Sequence, residues 1–244
     1  MKYWKEVAIR MVWDLYEGDC LDVMISIPNE TVDLIVTDPP YKVTSRGNSG
    51  GTGGILKEEI NKKGMVFQHN SIKFTDWLVE LYRVAKNGSH TYIMVNNKNL
   101  KQMLNDVELA GFHIFKTLVW VKNTSITNMY YMDTHEYIIF ARKGVAKKIN
   151  HCGSKSVLFF DNPRNKKHPT EKPVELMERL ITNSSNLNET VLDPFAGSGA
   201  TGVAAENTGR NSILIEEDPK YCKIIRNRMD NMQQNIFSLK GGSD

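Results

Sequence analysis

The chain has 244 residues, 41% of them apolar and 24% charged, with a formal net charge of +3. Those are the values of a globular chain long enough to bury one sizeable core, and bulk charge alone points only weakly to a polyanionic partner. No apolar run reaches the roughly 18 residues of a membrane-spanning helix, and Met1-Lys2-Tyr3-Trp4-Lys5-Glu6 lacks the apolar stretch of a secretory signal.

Residues 12–16 read as a short strand, and Gly18-Asp19 turns the chain into a helix over 20–27. The run Val32-Asp33-Leu34-Ile35-Val36 reads as a buried strand of a parallel sheet. It delivers Thr37-Asp38-Pro39-Pro40-Tyr41 to the carboxyl edge, where ligands bind in open α/β sheets. Two prolines fix φ twice and remove two N–H donors, so the carbonyls of Asp38 and Pro39 are available to a guest. Taken alone, the motif is equally a proline-rich turn with a capping aspartate.

Residues 42–71 carry the glycine-rich stretch Arg46-Gly47-Asn48-Ser49-Gly50-Gly51-Thr52-Gly53-Gly54 and no apolar periodicity. Without a Gly-Lys-Ser/Thr ending it is no phosphate cradle, and a mobile loop that orders on binding is expected. An amphipathic helix is expected over 72–86, with Trp77, Leu78, Leu81, Tyr82 and Ala85 on one face and Gly88 as its stop. A strand at 91–95, a helix at 99–110 and strands at 112–121 and 137–141 follow. The alternation predicts one α/β domain over 1–244, a mostly parallel sheet with helices on both faces. The tail from Lys240 is expected to be disordered.

Residues 142–172 hold nine Lys/Arg against Asp161 and Glu171. Such local concentration in a near-neutral chain is the footprint of a phosphate backbone, although charge runs are usually solvated loops. Cys20, Cys152 and Cys222 show no CxxC spacing, which suits a reducing compartment. No His/Cys spacing suits a metal.

The stretch from Thr190 through Asp193-Pro194-Phe195-Ala196-Gly197-Ser198-Gly199-Ala200-Thr201-Gly202 reads as strand, glycine turn and helix start. A further strand, Ser212-Ile213-Leu214-Ile215, ends in Glu216, where a dinucleotide fold places its ribose-binding acid. A nicotinamide dehydrogenase is the obvious reading of the glycines. Asp193 opposes it, because a carboxylate just before them repels a pyrophosphate and welcomes a sulfonium or an ammonium. S-adenosylmethionine carries adenosine, a sulfonium and an amino acid, and no phosphate.

Asp38-Pro39-Pro40-Tyr41 with Asp193-Pro194-Phe195-Ala196-Gly197-Ser198-Gly199 resembles the DNA amino-methyltransferases. The motif order, catalytic first and cofactor loop near the C-terminus, resembles their beta group of adenine-N6 and cytosine-N4 enzymes. His168-Pro169-Thr170-Glu171-Lys172-Pro173, followed by a helix over 174–181, and Gly18-Asp19-Cys20-Leu21 fit further motifs of that family. The resemblance implies a Rossmann-like methyltransferase fold with permuted motif order and S-adenosylmethionine as cofactor. It places Asp193, Phe195, Ala196, Gly197, Ser198, Gly199 and Thr201 along the cofactor and Glu216 on its ribose. Asp19 and Cys20 lie near its adenine, and Thr170 and Lys172, with His168 on the same segment, near its methionine end. Asp19 is equally a helix N-cap, Phe195 equally core, and His168 a structural residue rather than a metal ligand.

In this reading Asp38, Pro39, Pro40 and Tyr41 are catalytic. Acceptors from Asp38 and Pro39 localise the lone pair of an exocyclic amine while Tyr41 stacks on a base flipped out of duplex DNA. Asp at position 38 resembles the adenine-N6 branch, and cytosine-N4 enzymes mostly carry Ser there. Base reading falls to the basic segment 142–167, the loop 42–70 or the turn at 123–131. A homodimer, a cognate restriction enzyme and the cytoplasm of a prokaryotic cell or phage-infected host complete the expectation. Methylation of RNA or a protein amine, and an inactive DNA-binding subunit, are the competing readings.

Overall fold

The computed structural model describes residues 12–40, 72–126, 130–145, 147–164, 166–168 and 170–240. Tyr41, the glycine-rich loop 42–71 and the residues after Lys240 therefore lie outside the described residues.

Eight strands form one sheet: β1 (Trp13–Glu17), β2 (Val32–Thr37), β3 (Ala85–Val95), β4 (His113–Ile126), β5 (Asp133–Arg142), β6 (Val157–Phe159), β7 (Thr190–Asp193) and β8 (Asn211–Glu216). Their order is β1-β8-β7-β2-β3-β5-β4-β6, and only β5 runs antiparallel to its neighbours. The helices among the described residues are α1 (Cys20–Ser26), α2 (Phe74–Val84), α3 (Asn97–Leu109), α4 (Val174–Ser184), α5 (Ala200–Asn207) and α6 (Pro219–Lys240).

Strand β2 is apolar on both faces because helices cover both. Val32 and Ile35 join Trp77, Leu78 and Leu81 of α2 and Met103 and Val107 of α3 in one core layer. Leu34 and Val36 join Tyr92, Met94, Trp120 and Ile138 beneath Leu176, Leu180 and Ile181 of α4. Along β3 and β5 the period of two sorts side chains between these layers, Ile93 and Ile139 to the first and Tyr92, Met94 and Ile138 to the second.

Helix α2 stops at Val84, ahead of the glycine expected to stop it. Val32 pairs with Ala85 and Leu34 with His90, so β3 bulges around Gly88, whose φ is +83°. The glycine serves a strand irregularity rather than a helix end. Strands β4 and β5 outrun the expected 112–121 and 137–141 because they pair with each other as far as Ile126 and Asp133. Strand β6 and helix α6 are additions to the elements expected from the sequence pattern.

From β7 the chain passes through α5 to β8 on one side of the sheet, whereas β3 lies on the other side of β2. The gap between β7 and β2 is thus the point where the winding reverses, the usual crevice for a ligand in such sheets.

Candidate active site

Asp38 and Asp193 stand at the carboxyl ends of the two strands that flank this crevice. Asp193 is turned inward. Its Oδ1 accepts from Thr37 Oγ1 at 2.8 Å and from the Phe195 amide at 3.1 Å, and its Oδ2 accepts from Thr201 Oγ1 at 2.6 Å. Burial pushes this carboxyl up to about 6 against the pull of those three donors. Asp193 thereby ties the end of β2, through Thr37, to the glycine turn and to α5.

The turn itself uses Gly197 at φ +54° and Gly199 at φ +81°, a left-handed backbone that favours glycine. Gly202 serves packing instead, since a Cβ there would meet Leu214 Cδ1 of β8 at 2.6 Å. Ala196 and Ser198 are buried in the turn, and Phe195 packs edge-on against Trp77 with ring centres 5.3 Å apart.

Glu216 ends β8 beside the turn. Its Oε2 accepts from the Gly197 amide at 2.8 Å and its Oε1 from the Asp218 amide at 3.0 Å. Burial raises its carboxyl to about 7 despite these two bonds. Asp19 is exposed and caps α1, accepting from the Leu21 amide at 2.7 Å, with Cys20 buried behind it.

The segment around 168–172 spans the crevice. The His168 ring lies over the glycine turn, 3.8 Å from where a Gly197 Cβ would stand, and packs against Tyr221 of α6 with ring centres 4.3 Å apart. Its Nδ1 lies 3.1 Å from Thr170 Oγ1, and burial lowers its pKa to about 4, so the ring is neutral. Four residues on, Lys172 Nζ donates to Asp38 Oδ2 at 2.5 Å and to the Thr170 carbonyl at 3.2 Å. Asp38 Oδ1 has no hydrogen-bond partner among the described residues. Burial raises the Asp38 pKa, against the opposing pull of the Lys172 ammonium.

Two supports carry no sequence signal of their own. Arg228 of α6 donates to Glu171 Oε1 at 2.7 Å and to the Ser198 carbonyl at 2.9 Å, locking the spanning segment to the glycine turn. Glu136 of β5 lies 3.4 Å from Lys172 Nζ and accepts a bond from Lys122 of β4. The start of α6 does carry a signal: Asp218 caps it by accepting from the Lys220 amide at 2.8 Å, and Pro219 is its first residue.

The basic segment is divided by the fold. Strand β5 runs away from Asp38, so its end and the residues after it lie at the opposite edge of the sheet. There Lys143 is buried, donating to the Ala85 carbonyl, and Lys147 pairs with Glu189 at 3.5 Å. The chain returns with β6, parallel to β4, and Arg164, Lys166 and Lys167 are exposed at the crevice edge. Lys166 feels the ammoniums of Lys122 and Lys172; burial, then those charges, lower its pKa. Among the described residues no three His, Cys, Asp or Glu side chains are grouped to hold a metal ion.

Residues 32–227 match the family N6_N4_Mtase, described as DNA methylase. The chain is 28% identical over 251 residues to the type II methyltransferase M.HinfI of Haemophilus influenzae, across 91% of this chain and 69% of that protein. The solved M1.HpyAVI–SAM complex aligns with a TM-score of 0.69 and 26% identity, over 89% of this chain and all of that one (100%). The PvuII DNA methyltransferase, cytosine-N4-specific, shares the fold with a TM-score of 0.66 at 18% identity, over 86% of this chain and 83% of that one.

Proposed function

The chain belongs to the N6/N4 family of DNA methylases, and from that premise we propose that it methylates the N6 amino group of an adenine flipped out of duplex DNA. Bound S-adenosylmethionine supplies an electrophilic methyl group on a sulfonium. The observation that carries the reading is Asp38, whose Oδ2 is held by Lys172 while Oδ1 has no partner among the described residues. Its side chain keeps 19% of its surface exposed at the crevice, while Oδ1 itself is buried and unpaired among the described residues, so an amine must enter the crevice to meet it.

An exocyclic amine is a poor nucleophile because its lone pair is delocalised into the ring. An acceptor on each N–H draws the nitrogen toward sp³ and localises that pair. Asp38 Oδ1 is one acceptor, and the Pro39 carbonyl is assigned as the other; Pro40 fixes the backbone that follows it. Tyr41 is assigned the face of the base. Holding the amine in line with the methyl group is then the main catalytic task, and a base inside a duplex must be flipped to be held.

The crevice fits the cofactor. Two left-handed glycines leave their positions in the turn bare of side chains, and Glu216 brings a carboxylate to a strand end beside them, suited to two ribose hydroxyls. Asp193 contributes by bracing the turn, its oxygens being engaged by the chain's own donors.

Adenine is favoured over cytosine by Asp38 itself, the residue type that resembles the adenine branch. Adenine's two-ring face also offers Tyr41 more stacking area. The fold does not select the base, since the PvuII enzyme shares it.

Mass spectrometry of nucleosides from treated duplex DNA tests the reading. N6-methyladenine is expected, and N4-methylcytosine as the main product would overturn the base assignment. Asp38→Ala is expected to lower turnover by about a hundredfold or more with cofactor affinity retained. Glu216→Ala is expected to weaken cofactor binding by roughly ten- to a hundredfold, the worth of hydrogen bonds to a charged group.

A further inference from the structure

One cluster at Asp38 extends beyond the sequence motifs, through Glu136 and Lys122. Lys122 Nζ donates to Glu136 Oε1, Glu136 Oε2 lies 3.4 Å from Lys172 Nζ, and Lys172 Nζ lies 2.5 Å from Asp38 Oδ2. Charges alternate along the row from β4 to the end of β2. The side chains are 12%, 16%, 7% and 19% exposed in the order Lys122, Glu136, Lys172, Asp38, so bulk water screens them little.

The alternation of the sheet brings them together. Val36, Trp120 and Ile138 face the layer covered by α4. Asp38, Lys122 and Glu136 each stand two residues further toward the carboxyl edge, on that same face. Lys172 arrives over this face just before α4 begins at Val174.

Held by Asp38 and the Thr170 carbonyl without Glu136, the ammonium could swing between the two carboxylate oxygens and cover the one the amine needs. Glu136 attracts the ammonium as an ion pair, its Oε2 lying 3.4 Å away and making no hydrogen bond among the described residues, and its Oε1 is fixed by Lys122. We infer that Glu136 is a positioning residue that acts through Lys172, keeping the ammonium on Asp38 Oδ2 so that Oδ1, without a partner among the described residues, is left for the amine. This rests on the reading of Asp38 as the amine's acceptor. Lys122 belongs to the same device as the anchor of Glu136.

The test measures methyl transfer to duplex DNA and S-adenosylmethionine affinity for the full chain, Glu136→Gln, Lys172→Met and the double variant. Glu136→Gln is expected to lower kcat by about 10- to 100-fold, the effect of a misplacement of roughly an ångström, with cofactor Kd unchanged. In the Lys172→Met background Glu136→Gln is expected to cost nothing further, because the group through which it acts is gone. If Glu136→Gln unfolds, Lys122→Met carries the same comparison: its loss of kcat is expected to vanish in the Lys172→Met background. Unchanged kcat, a loss confined to cofactor Kd, or losses that multiply in the double variant would overturn the inference. A wild-type chain that methylates no DNA would remove the proposed function itself, whereas an active wild type beside an unaffected variant removes only the role of Glu136.

Discussion

Glu216 shows what burial does to a carboxylate at a strand end. Its pKa stands at about 7 against an ordinary 4.5, with desolvation as the leading cause. The folded state therefore binds this proton more tightly than the unfolded chain does. The stability contributed by the neutral form is complete below about 4.5 and is lost as pH rises through about 7. A ribose donating hydroxyls favours the ionised form, so cofactor binding should release this proton. Affinity for S-adenosylmethionine is expected to fall by up to about tenfold per pH unit below 7. Calorimetry at about pH 6 in two buffers of different ionisation enthalpy reads the released proton directly. An affinity flat from about pH 5.5 to 8 would contradict Glu216 as the ribose ligand.

At this scale the motif residues are legible in the sequence, because their types and order are themselves the signal. Their partners are not. Thr37 meets Asp193 across 156 positions and Lys172 meets Asp38 across 134. Only the register of the sheet brings such pairs together, and the register is set by burial across all eight strands. Asp193 illustrates the consequence. Its place before the glycines is readable from the chain, but its use of both oxygens within the protein is not.

Among the elements, α6 does most to couple the parts of the crevice. Ile225 and Met229 bury it against Leu214 and Val203. Arg228, on the same helix, ties Glu171 to the glycine turn, with side chains only 13% and 6% exposed. Removing the guanidinium leaves a buried carboxylate whose remaining hydrogen-bond donor among the described residues is the Lys167 amide. Arg228→Met is expected to cost about 3 kcal/mol, the lower end for breaking a buried pair, and to weaken cofactor binding by loosening the turn. Urea unfolding checks the first effect. An unchanged midpoint would mean that the helix docks through its apolar face alone. The helix is readable from Asp218-Pro219 and the apolar spacing after it. Strand β6, three residues long, carries too little pattern to announce itself.

The whole molecule decides which positive charges can meet DNA. In sequence, residues 142–167 form one basic segment. In the fold, the antiparallel course of β5 sends its first part to the edge of the sheet remote from Asp38. There Lys147 pairs with Glu189, and its carbonyl lies 2.9 Å from His90 Nε2. The return along β6 brings Arg164, Lys166 and Lys167, all exposed, to the edge that carries Asp38. In the proposed function, a duplex presenting a flipped base to Asp38 would lie against that second group. Every phosphate that the protein ceases to neutralise should reduce the salt slope of log K by roughly 0.9. Lys166→Ala with Lys167→Ala is therefore expected to weaken DNA binding and to flatten the slope by up to about twice that amount. Lys147→Ala with Lys148→Ala is expected to leave both affinity and slope unchanged. Fluorescence anisotropy with a labelled duplex over a range of salt concentrations separates the two pairs. A flattened slope from the Lys147 and Lys148 pair, with none from Lys166 and Lys167, would mean that DNA engages the opposite edge of the sheet. The base could not then reach Asp38, and the proposed site would fall with the docking face.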